Sequence, residues 1–231
     1  MKRALLLLTV AGVGSLALAI SANAWIVTEI TVEAGGENRF GPRKVTQQIP
    51  EVVFQWNWNG IDPTAREHNV RQDKRLFYSG PPTTEDSFQR SISAGTFHYY
   101  CEVHGSRSGG MDGKVKVRPA SLSAPDPEDR SFPVQWAIAG KASGVSARRG
   151  GGVPTETGDR FDVRFKVEDG RWRIWKRDTR KVKAQFGRND NPVHVRNGRE
   201  YKFKARSQKG SNDNKVSGWS PKLTIVGGAG P

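Results

Sequence analysis

The stretch "GTFHYYCEVHGSRSGGMDGKVKV", residues 95–117, holds the only cysteine of the 231-residue chain and its only methionine beyond Met1. Before the cysteine, Phe97, Tyr99 and Cys101 alternate with His98 and Tyr100, and after the methionine "DGKVKV" resumes the alternation with Val115 and Val117. A two-residue period is the signature of strands. The reading is therefore a strand ending at Cys101, a loop carrying His104, two adjacent glycines and Met111, and a returning strand. Paired strands bring the loop ends together, so a thiolate, an imidazole and a thioether can meet at one point.

One cysteine cannot close an internal disulfide, which leaves an intermolecular bridge, a free thiol or a metal bond. A catalytic thiol needs a histidine base held by a third group, and "GSRSGGM" supplies no evident orienting carboxylate. A buried structural cysteine explains neither the nearby histidine nor the isolated methionine. The compartment narrows the choice further. Lys2 and Arg3, an apolar run from Ala4 to Ile20 and the small-x-small end Ala22-Asn23-Ala24 fit a signal peptide over residues 1–24. The expectation is an exported protein, secreted, periplasmic or at the cell surface, with no membrane-spanning segment after cleavage. An unprotected thiol there is prone to oxidation, and a metal bond protects it.

A fourth donor has to come from elsewhere, and the chain has only four histidines, His68, His98, His104 and His194. His98 alternates away from the Cys101 face, and His194 falls in the far half. His68, in "REHNVRQD", remains. Two histidines, a thiolate and a distant methionine form the donor set of trigonal blue-copper sites. Four histidines are too few for a trinuclear copper cluster, and a binuclear thiolate site needs a second cysteine. No catalytic residue is assigned, and the chain is not expected to be an enzyme.

The pattern resembles the cupredoxins, specifically the plastocyanin, halocyanin and amicyanin group. "EHNV", "GTFHYYCEVHG" and "GGMDGKVKV" carry the resemblance, and "FGPRKVTQQIPEVVFQWNWNG" extends it, covering roughly Trp25 to Val117. It implies a Greek-key β-sandwich with one type 1 copper held by His68, Cys101, His104 and Met111. The interval from His104 to Met111 is longer and richer in glycine than in well-known members of the group. The resemblance also implies that Asn69 hydrogen-bonds across to the cysteine loop, that His104 has an edge near the surface, and that Tyr100 offers a second exit for electrons.

Composition divides the rest of the chain. "SLSAPDPEDR", residues 121–130, is rich in Pro, Ser and charge and reads as a linker. Residues 25–120 carry 12 Lys and Arg against 11 Asp and Glu, whereas residues 121–231 carry 23 against 12. The halves are therefore net +1 and +11. The second half is also written in strands, with Phe161, Val163, Phe165 and Val167 sharing one face of "FDVRFKV" and Tyr201, Phe203 and Ala205 one face of "YKFKAR". It is similar to a fibronectin type III domain over roughly Pro125 to Val226. Trp136, Tyr201 and Trp219 are expected in its core, with Tyr201 at the tyrosine corner of such sandwiches. The organisation expected is signal peptide 1–24, copper domain 25–119, linker 120–130 and fibronectin-like domain 131–227, all-β throughout.

The function expected is an exported one-electron carrier with a basic domain for docking or tethering. The competing class is a copper-binding, copper-delivering or cell-surface interaction protein. The outward residues Arg164, Lys166, Arg171, Arg173, Lys176, Arg177, Lys202, Lys204 and Arg206 fall on neighbouring strands and can form one basic face. For an exported chain, an anionic envelope polymer or lipid surface is the expected contact rather than nucleic acid, and the redox partner is a protein that the sequence does not identify.

Overall fold

The computed structural model describes residues 26–32, 37–49, 52–58, 66–84, 86–126, 130–138, 158–187, 193–210 and 215–228. The expected signal peptide lies outside them. The described residues form fifteen strands and no helix. The chain is all-β.

The first half contains β1 (Ile26–Val32), β2 (Phe40–Gly41), β3 (Lys44–Gln48), β4 (Val52–Asn57), β5 (Arg71–Gln72), β6 (Ser87–Ser91), β7 (Gly95–Ser106) and β8 (Gly109–Arg118). They make two four-stranded sheets, ordered β2-β1-β4-β6 and β3-β8-β7-β5. Two neighbour pairs are parallel, β1 with β4 and β3 with β8. The inward face of each sheet supplies one core, in which Trp56 packs against Phe77, Phe88 and the edge of Tyr99 at 5.2–5.5 Å between ring centroids. Cys101 and Met111 belong to this core and are fully buried.

The stretch read as a loop between Cys101 and Met111 is a continuation of the hairpin. β7 runs on to Ser106 and β8 begins at Gly109, leaving Arg107 and Ser108 as the turn. The pairing jumps from Tyr100↔Asp112 to Gly105↔Gly110, so four residues, Cys101 to His104, oppose Met111 alone. Such a bulge bends one strand and re-aims its side chains. Here it arches Cys101 and His104 over a single ladder position. Gly110 is required at the re-pairing, since its φ is +80° and an added Cβ would sit 2.6 Å from the His104 carbonyl oxygen.

The second half contains β9 (Ala120–Ser121), β10 (Phe132–Gln135), β11 (Arg160–Val167), β12 (Arg173–Thr179), β13 (Lys183–Phe186), β14 (Glu200–Gln208) and β15 (Leu223–Val226). A three-stranded sheet, β13-β10-β9, faces a four-stranded one, β12-β11-β14-β15, and every pair is antiparallel. Ala120 and Ser121, at the head of the stretch read as linker, are thus part of a sheet. Trp136 is fully buried in the second core. Tyr201 makes the expected corner, accepting from the Arg196 nitrogen at 2.8 Å and donating to the His194 carbonyl at 3.4 Å. Trp219 departs from expectation. It is only half-buried and lies on the outer face of the four-stranded sheet among cations.

The two cores meet along the start of β7. The Thr96 nitrogen donates to Gly218 O and the Gly218 nitrogen to Thr96 O, each at 2.9 Å. Thr96 Oγ1 donates to Trp219 O at 2.8 Å, Ser207 Oγ to Ala94 O at 3.1 Å, and the Ala94 nitrogen to Trp136 O at 2.7 Å. Ala94 itself packs in the second core.

Candidate metal centre

Three of the four expected ligands converge. His68 is fixed by a two-way bridge to Thr83, its nitrogen donating at 2.8 Å and its carbonyl accepting at 2.9 Å, and its ring is buried. Cys101 Sγ lies 3.7 Å from His68 Nδ1 and 3.7 Å from His104 Nδ1, and the two Nδ1 atoms are 3.2 Å apart. The mutual distances among the three donor atoms stay within 4.8 Å. His104 is half-buried, so the cluster is enclosed on the Cys101 and His68 sides and open at the His104 edge.

These spacings fit one ion. An ion about 2.0 Å from each nitrogen and about 2.3 Å from the sulfur, with near-trigonal to tetrahedral angles, requires roughly 3.3–3.6 Å between nitrogens and roughly 3.6–3.8 Å from sulfur to nitrogen. The triangle of 3.2, 3.7 and 3.7 Å matches within the play of the side chains. The donor chemistry also fits, because a soft thiolate with imidazoles suits copper or zinc better than hard cations. Met111 stands on β8 directly beneath the arch, fully buried in the same core as Cys101.

The surroundings of Cys101 favour its thiolate. Burial works against its charged form, but His68 and the backbone of Asn69, His104 and Val103 outweigh it and hold the Cys101 pKa below the ordinary thiol value. Asn69, fully buried beside His68, ties the two ligand segments together as the resemblance implies. Its Oδ1 accepts from the Glu102 nitrogen at 2.9 Å, and its Nδ2 donates to Glu102 Oε2 at 2.6 Å and to Gly80 O at 3.1 Å.

Sequence reasoning missed the residue next to the cysteine. Glu102 accepts from Asn69, from Arg71 and from the Tyr78 hydroxyl, the last at 3.0 Å. Burial raises its pKa, and these three donors reverse that, leaving the carboxyl below its ordinary value. A polar residue alternating outward on a strand gives no signal of such a network. The available hint was Arg71, two positions after Asn69 and on a paired strand. Tyr100, the other candidate exit, is half-buried and lies 5.9 Å beneath the Arg71 guanidinium. His98 sits half-buried on the opposite face from Cys101, its pKa lowered by burial and by Lys114.

No family model matches the chain, and no curated protein does. Solved structures similar to it include the FN1–FN3 domains of chicken CNTN1, at 5% identity over 79% of this chain and 64% of that one, with a TM-score of 0.30. A two-domain fibronectin type III segment of chicken tenascin matches at 16% identity over 75% of this chain and 90% of that one, TM-score 0.29. A cytokine receptor complex matches at 16% identity over 71% of this chain and 87% of that one, TM-score 0.30. Likenesses this distant assign no family. The chain spans about two thirds of the CNTN1 fragment. Among the described residues no helix is long and apolar enough to cross a membrane.

Proposed function

We propose that the chain is a mononuclear copper protein that carries single electrons outside the cytoplasm. The observation that carries this reading is the triangle of Cys101 Sγ, His68 Nδ1 and His104 Nδ1, buried on two sides and sized for one ion. Met111 is assigned as the weak axial ligand. Supporting the reading further, Asn69 makes the cross-loop hydrogen bond to the segment after Cys101 that the resemblance implies.

When bound, copper supplies a one-electron couple. The chain's own residues keep its surroundings the same in both oxidation states. Asn69 and Glu102 fix the backbone at Cys101, the Thr83 bridge fixes His68, and the aromatic core beneath excludes water. Rigid ligands mean little rearrangement per electron moved. The exposed edge of His104 is the contact for a redox partner. That same open edge favours the second reading, copper delivery, in which the ion itself leaves on the His104 side.

Titrating the mature chain with Cu(II) tests the first reading. One equivalent is expected to produce an intense visible charge-transfer band, which Cys101→Ser abolishes while the β-sheet circular dichroism persists. Colour retained in the variant overturns the ligand set. Reversible one-electron cycling without metal loss supports the carrier, whereas transfer of the ion to a competing chelator within the cycling time supports delivery.

A further inference from the structure

On the outer face of the four-stranded sheet, β11 and β14 place cation directly opposite cation. Arg164 pairs with Lys204 and Lys166 with Lys202. Like charges facing each other across a ladder destabilise a sheet. Most members of this group are compensated by acids. Lys166 and Lys202 share Asp169 at 3.8 and 3.5 Å, Lys202 also pairs with Glu200, and Arg206 is held by both its Nε and its Nη2 on Asp162 at 3.0 and 2.8 Å. Among the described residues no carboxylate pairs with Arg164 or Lys204.

Two indoles hold them in place. The Arg164 guanidinium lies 4.6 Å and the Lys204 ammonium 5.1 Å from the Trp219 ring centre, with Arg206 at 4.9 Å. Lys204 also lies 4.4 Å from Trp172, which Lys166 covers at 5.7 Å. Aromatic faces attract cations but leave their charge intact. The result is a pair of adjacent cations, Arg164 and Lys204, held against aromatic rings without a carboxylate partner among the described residues. Local rules broken without compensation mark functional surfaces.

We infer that this face binds a linear anionic polysaccharide, with its carboxylate or sulfate groups seated on Arg164 and Lys204. Alternate residues along a strand stand roughly 6.6–6.8 Å apart and neighbouring strands roughly 4.8 Å, so the cations form a grid suited to an extended polymer bearing repeated charges. The grid continues into a cleft of about 340 Å³ whose charged lining is Arg164, Arg206 and the exposed Arg177 together with Asp162 and Asp178, which are paired with Arg206 and Arg160. Burial, then the positive charges of Arg164 and Lys166, already push the Lys204 pKa down, a repulsion that a docked anion relieves. Nucleic acid fits less well, because base stacking needs free ring faces and both indoles are capped by cations. A bilayer fits less well too, because both indoles are part-buried and have cations over their rings, so neither offers a free apolar side chain for insertion. The inference is independent of the metal reading.

The full chain is titrated with dextran sulfate and with polygalacturonate at low salt, with neutral dextran as the control. Arg164→Gln/Lys204→Gln is expected to weaken binding at least tenfold and to lower the slope of log affinity against log salt by about one to two. Lys44→Gln/Lys183→Gln removes the same charge from exposed positions elsewhere and is expected to change binding less than twofold. If the first variant does not fold, exposed Arg177→Gln is expected to weaken binding about threefold. Equal losses in face and control variants show that net charge alone is at work and overturn the inference. Tighter binding to phosphatidylglycerol vesicles or to single-stranded DNA than to either polysaccharide also overturns it.

Discussion

Asn69 commits its side-chain amide to two neighbouring segments, accepting from the Glu102 nitrogen and donating to the Glu102 carboxylate beside Cys101, and donating to the Gly80 carbonyl. Asn69→Ala leaves a part-buried N–H and a part-buried carboxylate short of a partner, a loss of about 1–3 kcal/mol. Urea unfolding of the metal-free protein is expected to show that loss, and copper affinity is expected to fall roughly 10–100-fold, the usual consequence of removing an outer-shell contact. Affinity unchanged in a destabilised protein would show that Asn69 supports the fold and not the site. Met111 is judged by a different observable. Met111→Gln is expected to keep copper bound and lower the reduction potential, because an axial ligand tunes the couple more than the affinity, and an unchanged potential and spectrum would place the thioether outside the coordination sphere. At this scale the clustering of His68, Cys101 and His104 was legible in the sequence, since the chain offers one cysteine and few histidines to choose among. Glu102 was not legible, because its importance comes from Asn69, Arg71 and Tyr78, which only the fold brings to it.

The β7–β8 hairpin shows where pattern reading stops. Phe97, Tyr99 and Cys101 on β7 and Val115 and Val117 on β8 alternate as strands must, and their inward faces were readable from period alone. From Glu102 onward the alternation is lost, and a run rich in Gly and Ser reads as loop. The strands nevertheless stay paired to Ser106↔Gly109, because the bulge absorbs the extra residues. Register across a bulge is a property of two strands, and one strand's sequence does not contain it. Gly110 tests the arrangement. Gly110→Ala places a side chain at φ +80° and against the His104 carbonyl, at a cost of about 1–3 kcal/mol. The expected result is a lower denaturation midpoint together with weaker copper binding, because the strain falls on the ligand arch. A lower midpoint with unaltered metal affinity would separate the turn from the site.

Across the whole molecule, β7 links the two cores, since Ala94, just before it, and Thr96, near its start, bond to the second half, while Cys101 and His104 lie toward its other end. The division of charge between the halves was readable by counting, whereas this contact was not, because Ala94, Thr96 and Gly218 belong to no periodic pattern. Trp219 was misplaced for a related reason. A large aromatic is expected in a core, but its ring is held outside by Arg164, Lys204 and Arg206 while its carbonyl receives Thr96 Oγ1. Such a contact couples the stability of the two halves. Thr96→Val/Ser207→Ala removes both side-chain bonds across the boundary and strands the Trp219 and Ala94 carbonyls, at about 1–3 kcal/mol for each unsatisfied group. Thermal unfolding of the copper-loaded full chain is followed by the visible band, which reports the first core, and by tryptophan fluorescence. In the parent protein the two signals are expected to change in one transition. In the double variant both midpoints are expected to fall, and the two signals to separate as the cores lose their shared bonds. If the signals are already separate in the parent, or if one midpoint moves without the other, the hydrogen bonds at Thr96 and Ser207 orient the halves without making their folding cooperative.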